Sequence, residues 1–350
     1  MSKTRVAVNG YGVVGKRIAD AIDLQDDMKL VGIAKAHLDL NALLAFKKGY
    51  RLFISDPKKK PEEIGIEVSG SLEDLLDDAD IVVDCTPDGV GEKNKPSYEK
   101  AGIKAIWQGG EDHDVSDFSF NAFANYDAAL GRNYTRVVSC NTTGLTRILY
   151  LLDNSFGIDK ARITLIRRAA DPNDIKAGPI NAIIPDIEIP SHHGPDIQTI
   201  LHHLNITTMA VKVPTTLMHV HAINLKFRNK ISSENIIDVL NNSSRIRFLD
   251  TKLGIKSTAQ IFELGRDIGR SRNDMWENNI WKDSIGIHDD EAYLFQAIHQ
   301  ECVIVPENID AIRAMMEIEK DAKISIQMTN KSLGIGNKAI YGIDEFDNET

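Results

Sequence analysis

Cys140 stands in the run Val137-Val138-Ser139-Cys140-Asn141-Thr142-Thr143-Gly144-Leu145, where two apolar strand residues give way to a polar turn and then to the helical spacing Leu145, Ile148, Leu149, Leu152. The cysteine therefore sits at the mouth of a helix, where free N–H groups and the positive dipole end favour thiolate, the nucleophilic form. A carbonyl attacked by that sulfur becomes an oxyanion beside the same N–H groups, with Asn141 as an added donor. The serine, asparagine and two threonines around Cys140 are wrong for a core. Cys85 in IVVDCTP and Cys302 beside Val303, Ile304 and Val305 read instead as small buried hydrophobes.

A thiolate needs a base or proton shuttle, and three histidine clusters are available: His192-His193, His202-His203 and His219-Val220-His221. In the alternating run Leu217 to Phe227, His219 and His221 share a face with Leu217, Ile223 and Leu225 and point inward, which suits either a satisfied core ring or a chemical one. Two histidines at i, i+2 could hold a metal, but no nearby cysteine or carboxylate completes a site, so no metal is expected. His202 and His203, on a helical stretch with Ile200, Leu201 and Leu204, read as surface and packing residues. Arg167-Arg168 closes an apolar strand and faces a loop, and Ser191-His192-His193-Gly194-Pro195-Asp196 is a polar loop between prolines. Both suit anions, because guanidinium forks bind phosphate bidentately and neutral imidazole N–H groups add donors; a surface salt bridge and a simple turn are the plain alternatives. Thr142 and Thr143 add hydroxyl donors.

A second chemistry lies near the start of the chain. Gly10, Gly12 and Gly15 follow a short apolar strand and open a helical pattern through Val14, Ile18, Ala21 and Ile22, the context in which GxGxxG signals a dinucleotide. Gly10 permits the tight turn, Gly12 lets the backbone approach a pyrophosphate, and Gly15 allows close packing of helix on strand. The next strand, Leu30-Val31-Gly32-Ile33-Ala34, ends in Lys35, where an NAD-specific site carries an acid. An ammonium neutralises a 2′-phosphate that a carboxylate repels, so NADP is expected to be accepted and preferred, with NAD as the other cofactor.

The elements that must position these groups fall into two kinds. Strands at Arg5–Val8, Lys29–Ala36, Ala79–Cys85, Lys104–Trp107 and Arg136–Ser139 alternate with helical segments, which predicts a Rossmann domain over 1–139: an α/β fold with a doubly wound parallel sheet. Alternating runs at Arg162–Arg168 and Leu217–Phe227, with an apolar one at Met209–Val213, predict an α+β catalytic domain over 140–302 with a mixed or antiparallel sheet. One long helix over Asn308–Ile324, within a segment of about 303–335, is expected to pack back on the first domain. Lys and Arg number 41 against 51 Asp and Glu, a formal charge of -10 over 350 residues, which argues against a nucleic-acid or anionic membrane surface. No apolar run reaches membrane-spanning length and the N-terminus has no signal-peptide pattern, so a cytoplasmic location is expected.

Taken together, NGYGVVGKRI, the strand-end lysine, CTPDGVG, WQGGE, SCNTTGLTR, RRAADP, SHHGPD and MHVH resemble, in that order and over essentially the whole chain, the archaeal phosphorylating glyceraldehyde-3-phosphate dehydrogenases. The resemblance implies reversible oxidation of D-glyceraldehyde 3-phosphate to 1,3-bisphosphoglycerate with inorganic phosphate, in glycolysis or gluconeogenesis, through a thiohemiacetal and thioester on Cys140. It implies His219 as base. It implies cofactor contacts at Gly10, Tyr11, Gly12, Gly15, Lys35, Thr86, Gly109, Gly110, Arg168 and Gln300, and substrate contacts at Ser139, Asn141, Thr142, Arg167, His192 and His193. It further implies a cytosolic homotetramer using both NADP and NAD. For the arginine pair the resemblance alone leaves open which guanidinium meets substrate phosphate and which the cofactor; Arg168 is set with the cofactor and Arg167 with the substrate. An aspartate-semialdehyde or N-acetyl-glutamyl-phosphate reductase shares the layout, and a dinucleotide-sensing regulator is the alternative from outside enzymology.

Overall fold

The computed structural model describes residues 3–56, 65–108, 110–170 and 178–336. Gly109 and the Asp171-Pro172 end of RRAADP lie outside the described residues. The chain divides into two compact units, Met1–Ser139 with Ile304–Leu333, and Cys140–Val303 with Gly334–Thr350.

In the first unit β1 (Thr4–Asn9), β2 (Met28–Lys35), β3 (Leu52–Ile54), β4 (Gly70–Ser71), β5 (Ile81–Asp84), β6 (Lys104–Gln108), β7 (Ser119–Phe120) and β8 (Tyr134–Val137) form one parallel sheet, ordered β4-β3-β2-β1-β5-β6-β8-β7. The helices α1 (Val13–Asp23), α2 (Leu40–Lys47), α3 (Leu72–Asp77) and α4 (Gly91–Ala101) belong to the connections between them. The apolar run of β5 is explained by coverage on both faces, since Ile81, Val82 and Val83 are all fully buried. Along α1, Ile18, Ala19 and Ile22 are fully buried as well. Each isoleucine so covered contributes roughly 1.5–3 kcal/mol, so docking on the sheet rather than intrinsic propensity holds this helix. The strand order reverses at β1, with β2 on one side and β5 on the other. The crevice beyond the carboxyl ends of two such strands is where doubly wound sheets take ligands.

The second unit carries α5 (Cys140–Phe156), α6 (His193–Gln198), α7 (Ser233–Asn241) and α8 (Thr258–Asp267) around a mixed sheet. Its strands are β9 (Ile158–Arg168), β10 (Ile184–Pro185), β11 (Ile206–Val213), β12 (His219–Phe227), β13 (Ile246–Leu249), β14 (Asn278–Trp281), β15 (Gly286–His288) and β16 (Glu291–Ile298). The order is β10-β11-β9-β12-β16-β14-β13, with β15 beside β16; β9–β11 and β13–β14 are parallel and the other pairs antiparallel. On β12, His219, His221, Ile223, Leu225 and Phe227 share the buried face. The expected fold class, a parallel doubly wound sheet plus a mixed sheet, is the one observed. Among the described residues, no helix is long and apolar enough to cross a membrane.

Three local expectations are corrected. The apolar spacing of 308–324 is not one helix: α9 (Val305–Met315) ends, Glu317 takes φ 52°, and α10 (Ala322–Leu333) begins afresh. The polar run between them supplies the new cap, with Asp321 Oδ1 accepting from the N–H groups of Lys323 and Ile324. His202 and His203 lie in a turn beyond α6 rather than on a helix, though both are exposed as expected. Leu217 lies outside β12, because Met218 at φ 63° turns the chain and takes the buried position.

Candidate active site

In the first unit the glycine turn is fixed from below. A Cβ on Gly15 would lie 1.9 Å from the carbonyl oxygen of Gly10, and one on Gly10, at φ 95°, would lie 2.7 Å from the Cys85 backbone. Both glycines are required by packing alone. Gly12 is different: a Cβ there meets nothing within 4 Å. As N-cap of α1 it offers no side-chain acceptor, and no acidic residue stands in the first turn. The opening N–H groups of α1 thus face open space with the dipole's positive end behind them, which fits the pyrophosphate of a dinucleotide.

The end of β5 shapes the neighbouring wall. Asp84 accepts hydrogen bonds from Tyr98 Oη (2.5 Å), Asn94 Nδ2 (2.9 Å), Thr86 Oγ1 (2.5 Å) and the Thr86 N–H (2.9 Å). Thr86 is thereby locked beside the glycine turn. Gly110 packs so close to Asp88 that a Cβ would lie 2.9 Å from its Cα. Tyr11 is buried with its ring edge-on to Tyr50, and its carbonyl oxygen accepts from Lys35 Nζ at 3.2 Å. Asp84, Asn94 and Tyr98 were missed by the sequence reading; the signal was a single acid closing an otherwise apolar strand.

In the second unit the groups predicted from sequence converge. Cys140 is the first residue of α5, half-buried, followed by buried Asn141, Thr142 and Thr143. Thr142 Oγ1 donates to Asp196 Oδ2 on α6 at 2.5 Å. Arg168 is largely committed: its backbone N–H donates to His219 Nδ1 (3.0 Å), Nη1 donates to the Ala170 carbonyl (3.0 Å), and with the Gln300 amide turned so that its oxygen faces the guanidinium, that oxygen accepts from Nε and Nη1 at 2.9 and 3.2 Å. Arg167, by contrast, keeps a buried Nε with no hydrogen-bond partner. It lines a cavity of about 240 Å³ together with Asp186, Ala210 and Lys212. Of the two guanidiniums, Arg167 is the one with capacity left for an anion.

Behind these groups runs a chain of hydrogen bonds whose directions fix one another. Asn278 Nδ2 donates to Gln296 Oε1 (2.9 Å), Gln296 Nε2 to His221 Nδ1 (2.9 Å), and His221 Nε2 then donates to Asn141 Oδ1 (2.9 Å). Asn141 Nδ2 in turn donates to His193 Nε2 (3.2 Å), and His193 Nδ1 to Ser191 Oγ (3.2 Å), which passes its own hydrogen to Thr208 Oγ1 (2.9 Å). Every ring is neutral in this arrangement, with its tautomer set by its partners. His192 is exposed and stacks on His193 at 3.8 Å. The polar loop read from SHHGPD therefore enters α6 with Ser191, His193 and Gly194 buried. Gln296 and Asn278 escaped the sequence reading, although Gln296 sits in alternation with Leu294 and Ala292 and so points inward.

Electrostatics revise one expectation. Burial pushes the Cys140 thiol above its ordinary range, against the charges of Arg168 and Arg167 and the N–H groups of Asn141 and Cys140, which pull it down. The dipole end and the two guanidiniums thus act against burial, and burial is the larger influence on this sulfur. Burial, with the neighbouring His221, Arg168, Arg167 and His193, drives His219 well below the usual imidazole range, and burial holds His221 at about 3. His193 is pushed down to about 2 by burial, then by His192, Arg167 and His221. The other two cysteines do not compete: burial and Asp84 push Cys85 well up, and buried Cys302 donates to the Met275 carbonyl. Among the described residues one buried group, Asp274, His299 and Cys302, has metal-ligand proximity, but the Met275 peptide already takes the thiol hydrogen and donates to His299 Nδ1 at 3.3 Å.

Comparison with known proteins agrees with this constellation. Residues 139–274 match the model of the glyceraldehyde 3-phosphate dehydrogenase C-terminal domain, and residues 4–107 that of the dihydrodipicolinate reductase N-terminus. A glyceraldehyde-3-phosphate dehydrogenase of Methanosarcina mazei is 57% identical over 96% of this chain and 100% of its own length. One from Methanobacterium bryantii is 52% identical over 94% of this chain and 99% of its own. Among solved structures, an aspartate semialdehyde dehydrogenase II of Vibrio cholerae superposes with a TM-score of 0.66 over 90% of this chain and 99% of its own, at 14% identity, a likeness of fold alone. With relatives this similar over nearly the full length, the chain belongs to the glyceraldehyde-3-phosphate dehydrogenase family.

Proposed function

We propose that the chain catalyses reversible, phosphate-dependent oxidation of D-glyceraldehyde 3-phosphate to 1,3-bisphosphoglycerate, with NADP preferred over NAD. The observation that carries the reading is Cys140 at the head of α5 with the charges of Arg168 and Arg167 acting on its sulfur, and a neutral His219 bonded to the N–H of that same Arg168. A bound nicotinamide dinucleotide supplies the two-electron acceptor that turns a thiohemiacetal into a thioester. Gly10, Tyr11, Gly12, Gly15, Lys35, Thr86 and Gly110 are the first unit's groups for it, with Gly109 beside them in sequence; the family resemblance adds Arg168 and Gln300.

Cys140 sulfur forms the bond to the aldehyde carbon as the carbonyl π bond opens, and the thiol proton, whose loss Arg167 and Arg168 favour, passes to the carbonyl oxygen to give the thiohemiacetal hydroxyl. The carbonyl oxygen gains charge beside the first N–H groups of α5. Because Nδ1 of His219 accepts the Arg168 N–H, the neutral ring presents Nε2–H, so His219 first serves as donor to that oxygen. Taking a proton there, the base role implied by the resemblance, requires the ring to release that contact and change tautomer. Inorganic phosphate then forms a bond to the acyl carbon as the carbon–sulfur bond breaks and thiolate leaves. Arg167, with its spare buried Nε, is assigned to phosphate, alongside Ser139, Asn141, Thr142, His192 and His193 as substrate-side groups.

The family resemblance also supports a cytoplasmic homotetramer. On the second unit's sheet Met209, Tyr293 and Phe295 are exposed apolar side chains lining a shallow cavity, a surface suited to a second copy. Assays with matched aldehydes test the substrate. Glyceraldehyde 3-phosphate is expected to exceed aspartate semialdehyde in kcat/KM by about a thousandfold, because the semialdehyde replaces a dianionic phosphate with a singly charged carboxylate and brings an ammonium toward the charges of Arg167 and Arg168. A preference for the semialdehyde would favour the reaction named for the fold neighbour.

A further inference from the structure

The structure assigns Asp39 as the counterweight to Lys35 in choosing between the two dinucleotides. This rests on the reading that the end of β2 receives the adenosine ribose. Lys35 is nearly covered, its side chain 11% exposed, and its Nζ donates to the Tyr11 carbonyl at 3.2 Å and to Asp39 Oδ2 at 3.1 Å. The ammonium has three hydrogens, so one donor remains for a ligand. Asp39 is held from the other side: it is the N-cap of α2, where Oδ1 accepts the Ala42 N–H at 3.0 Å, and its carboxylate is 46% exposed.

An acid is therefore present at the tip of β2 after all. It arrives four residues past the strand end, delivered by the helix cap, instead of at the strand end itself. The pair as a whole carries no net charge. A dianionic 2′-phosphate approaching Lys35 must come within reach of the Asp39 carboxylate and is repelled by it, whereas a ribose diol finds in the same carboxylate an acceptor. The Asp39 end of the pair is open to water, which solvates its carboxylate when Lys35 exchanges it for a phosphate. The two charges thus serve the two cofactors in turn, Lys35 for NADP and Asp39 for NAD, and their balance limits discrimination in either direction.

Asp39→Asn removes the charge while keeping the cap, since asparagine caps a helix as well as aspartate does. Calorimetric titration of the full-length protein with NADP+, NAD+, 2′,5′-ADP and 5′-AMP reads binding without turnover. For Asp39→Asn, affinity for NADP+ and 2′,5′-ADP should rise by about tenfold and affinity for NAD+ fall severalfold. Asp39→Ser, a second capping residue, should shift the ratio the same way. If Lys35→Ala weakens NADP+ selectively but neither Asp39 variant moves the NADP+/NAD+ ratio, the assignment of Asp39 is wrong while the placement of the ribose stands. If Lys35→Ala leaves the ratio unchanged, the placement itself is wrong and the assignment falls with it.

Discussion

Cys140→Ser is expected to lower kcat by at least about ten-thousandfold while dinucleotide affinity, read by calorimetry, stays within about twofold. The size of the effect follows from the surroundings. A serine hydroxyl ionises far less readily than a thiol, so it needs a base with a free lone pair directed at it. Nδ1 of His219 already accepts the Arg168 N–H, His221 is engaged at both ring nitrogens, and His193 is engaged at both of its own. None of the three offers a lone pair free for the task. Cys140 has less need of such a base, because a thiol ionises far more readily than a hydroxyl and the charges of Arg168 and Arg167 act against its burial. A regulator that only senses dinucleotides would bind as the variant does but would have no wild-type turnover to lose. A serine variant retaining more than a few per cent of wild-type kcat would remove Cys140 from the chemistry.

His219 carries the second large effect, and its tautomer makes the direction of partial rescue informative. His219→Ala should cost about a thousandfold in kcat, within the range for a positioned proton donor or acceptor. It also leaves the half-buried Arg168 N–H without its acceptor, a loss of roughly 1 kcal/mol in stability, so thermal unfolding should be measured beside activity. His219→Gln can set an amide N–H near the place of Nε2–H but cannot accept a proton there. If the ring acts as donor to the thiohemiacetal oxygen, glutamine should recover about tenfold over alanine. Equal activity of the two variants would favour proton acceptance and a ring that breaks from Arg168 during the cycle.

How much of this was legible in the sequence depends on how local the cause is. The β1–α1 turn was legible because Gly10, Gly12 and Gly15 sit between an apolar strand and an amphipathic helix, and the structure separates their duties only further, two for packing and one for open approach. Cys140 was legible because polar residues interrupt an apolar pattern where a helix begins. The inward face of β12 followed from alternation, but Met218 at φ 63° displaced Leu217 from it, a turn that no period of two reveals. The break at Glu317 was hidden because apolar spacing continued across it at helical intervals. The burial that acts on Cys140 was hidden for a different reason: the helix terminus is visible in sequence, whereas the burial that opposes it comes from the assembled fold. The chain from Asn278 through Gln296, His221, Asn141 and His193 to Ser191 joins residues far apart in sequence, and only the fold brings them into line.

The covalent role of Cys140 is tested most directly by rapid mixing of the protein, NADP+ and glyceraldehyde 3-phosphate without inorganic phosphate, followed at the absorbance of reduced nicotinamide. The expected trace is a burst of about one equivalent per Cys140 and then near-arrest, with steady turnover resuming when phosphate is added, because the acyl group waits on sulfur for its acceptor. Continuous turnover at the same rate with and without phosphate, and no burst, would contradict it.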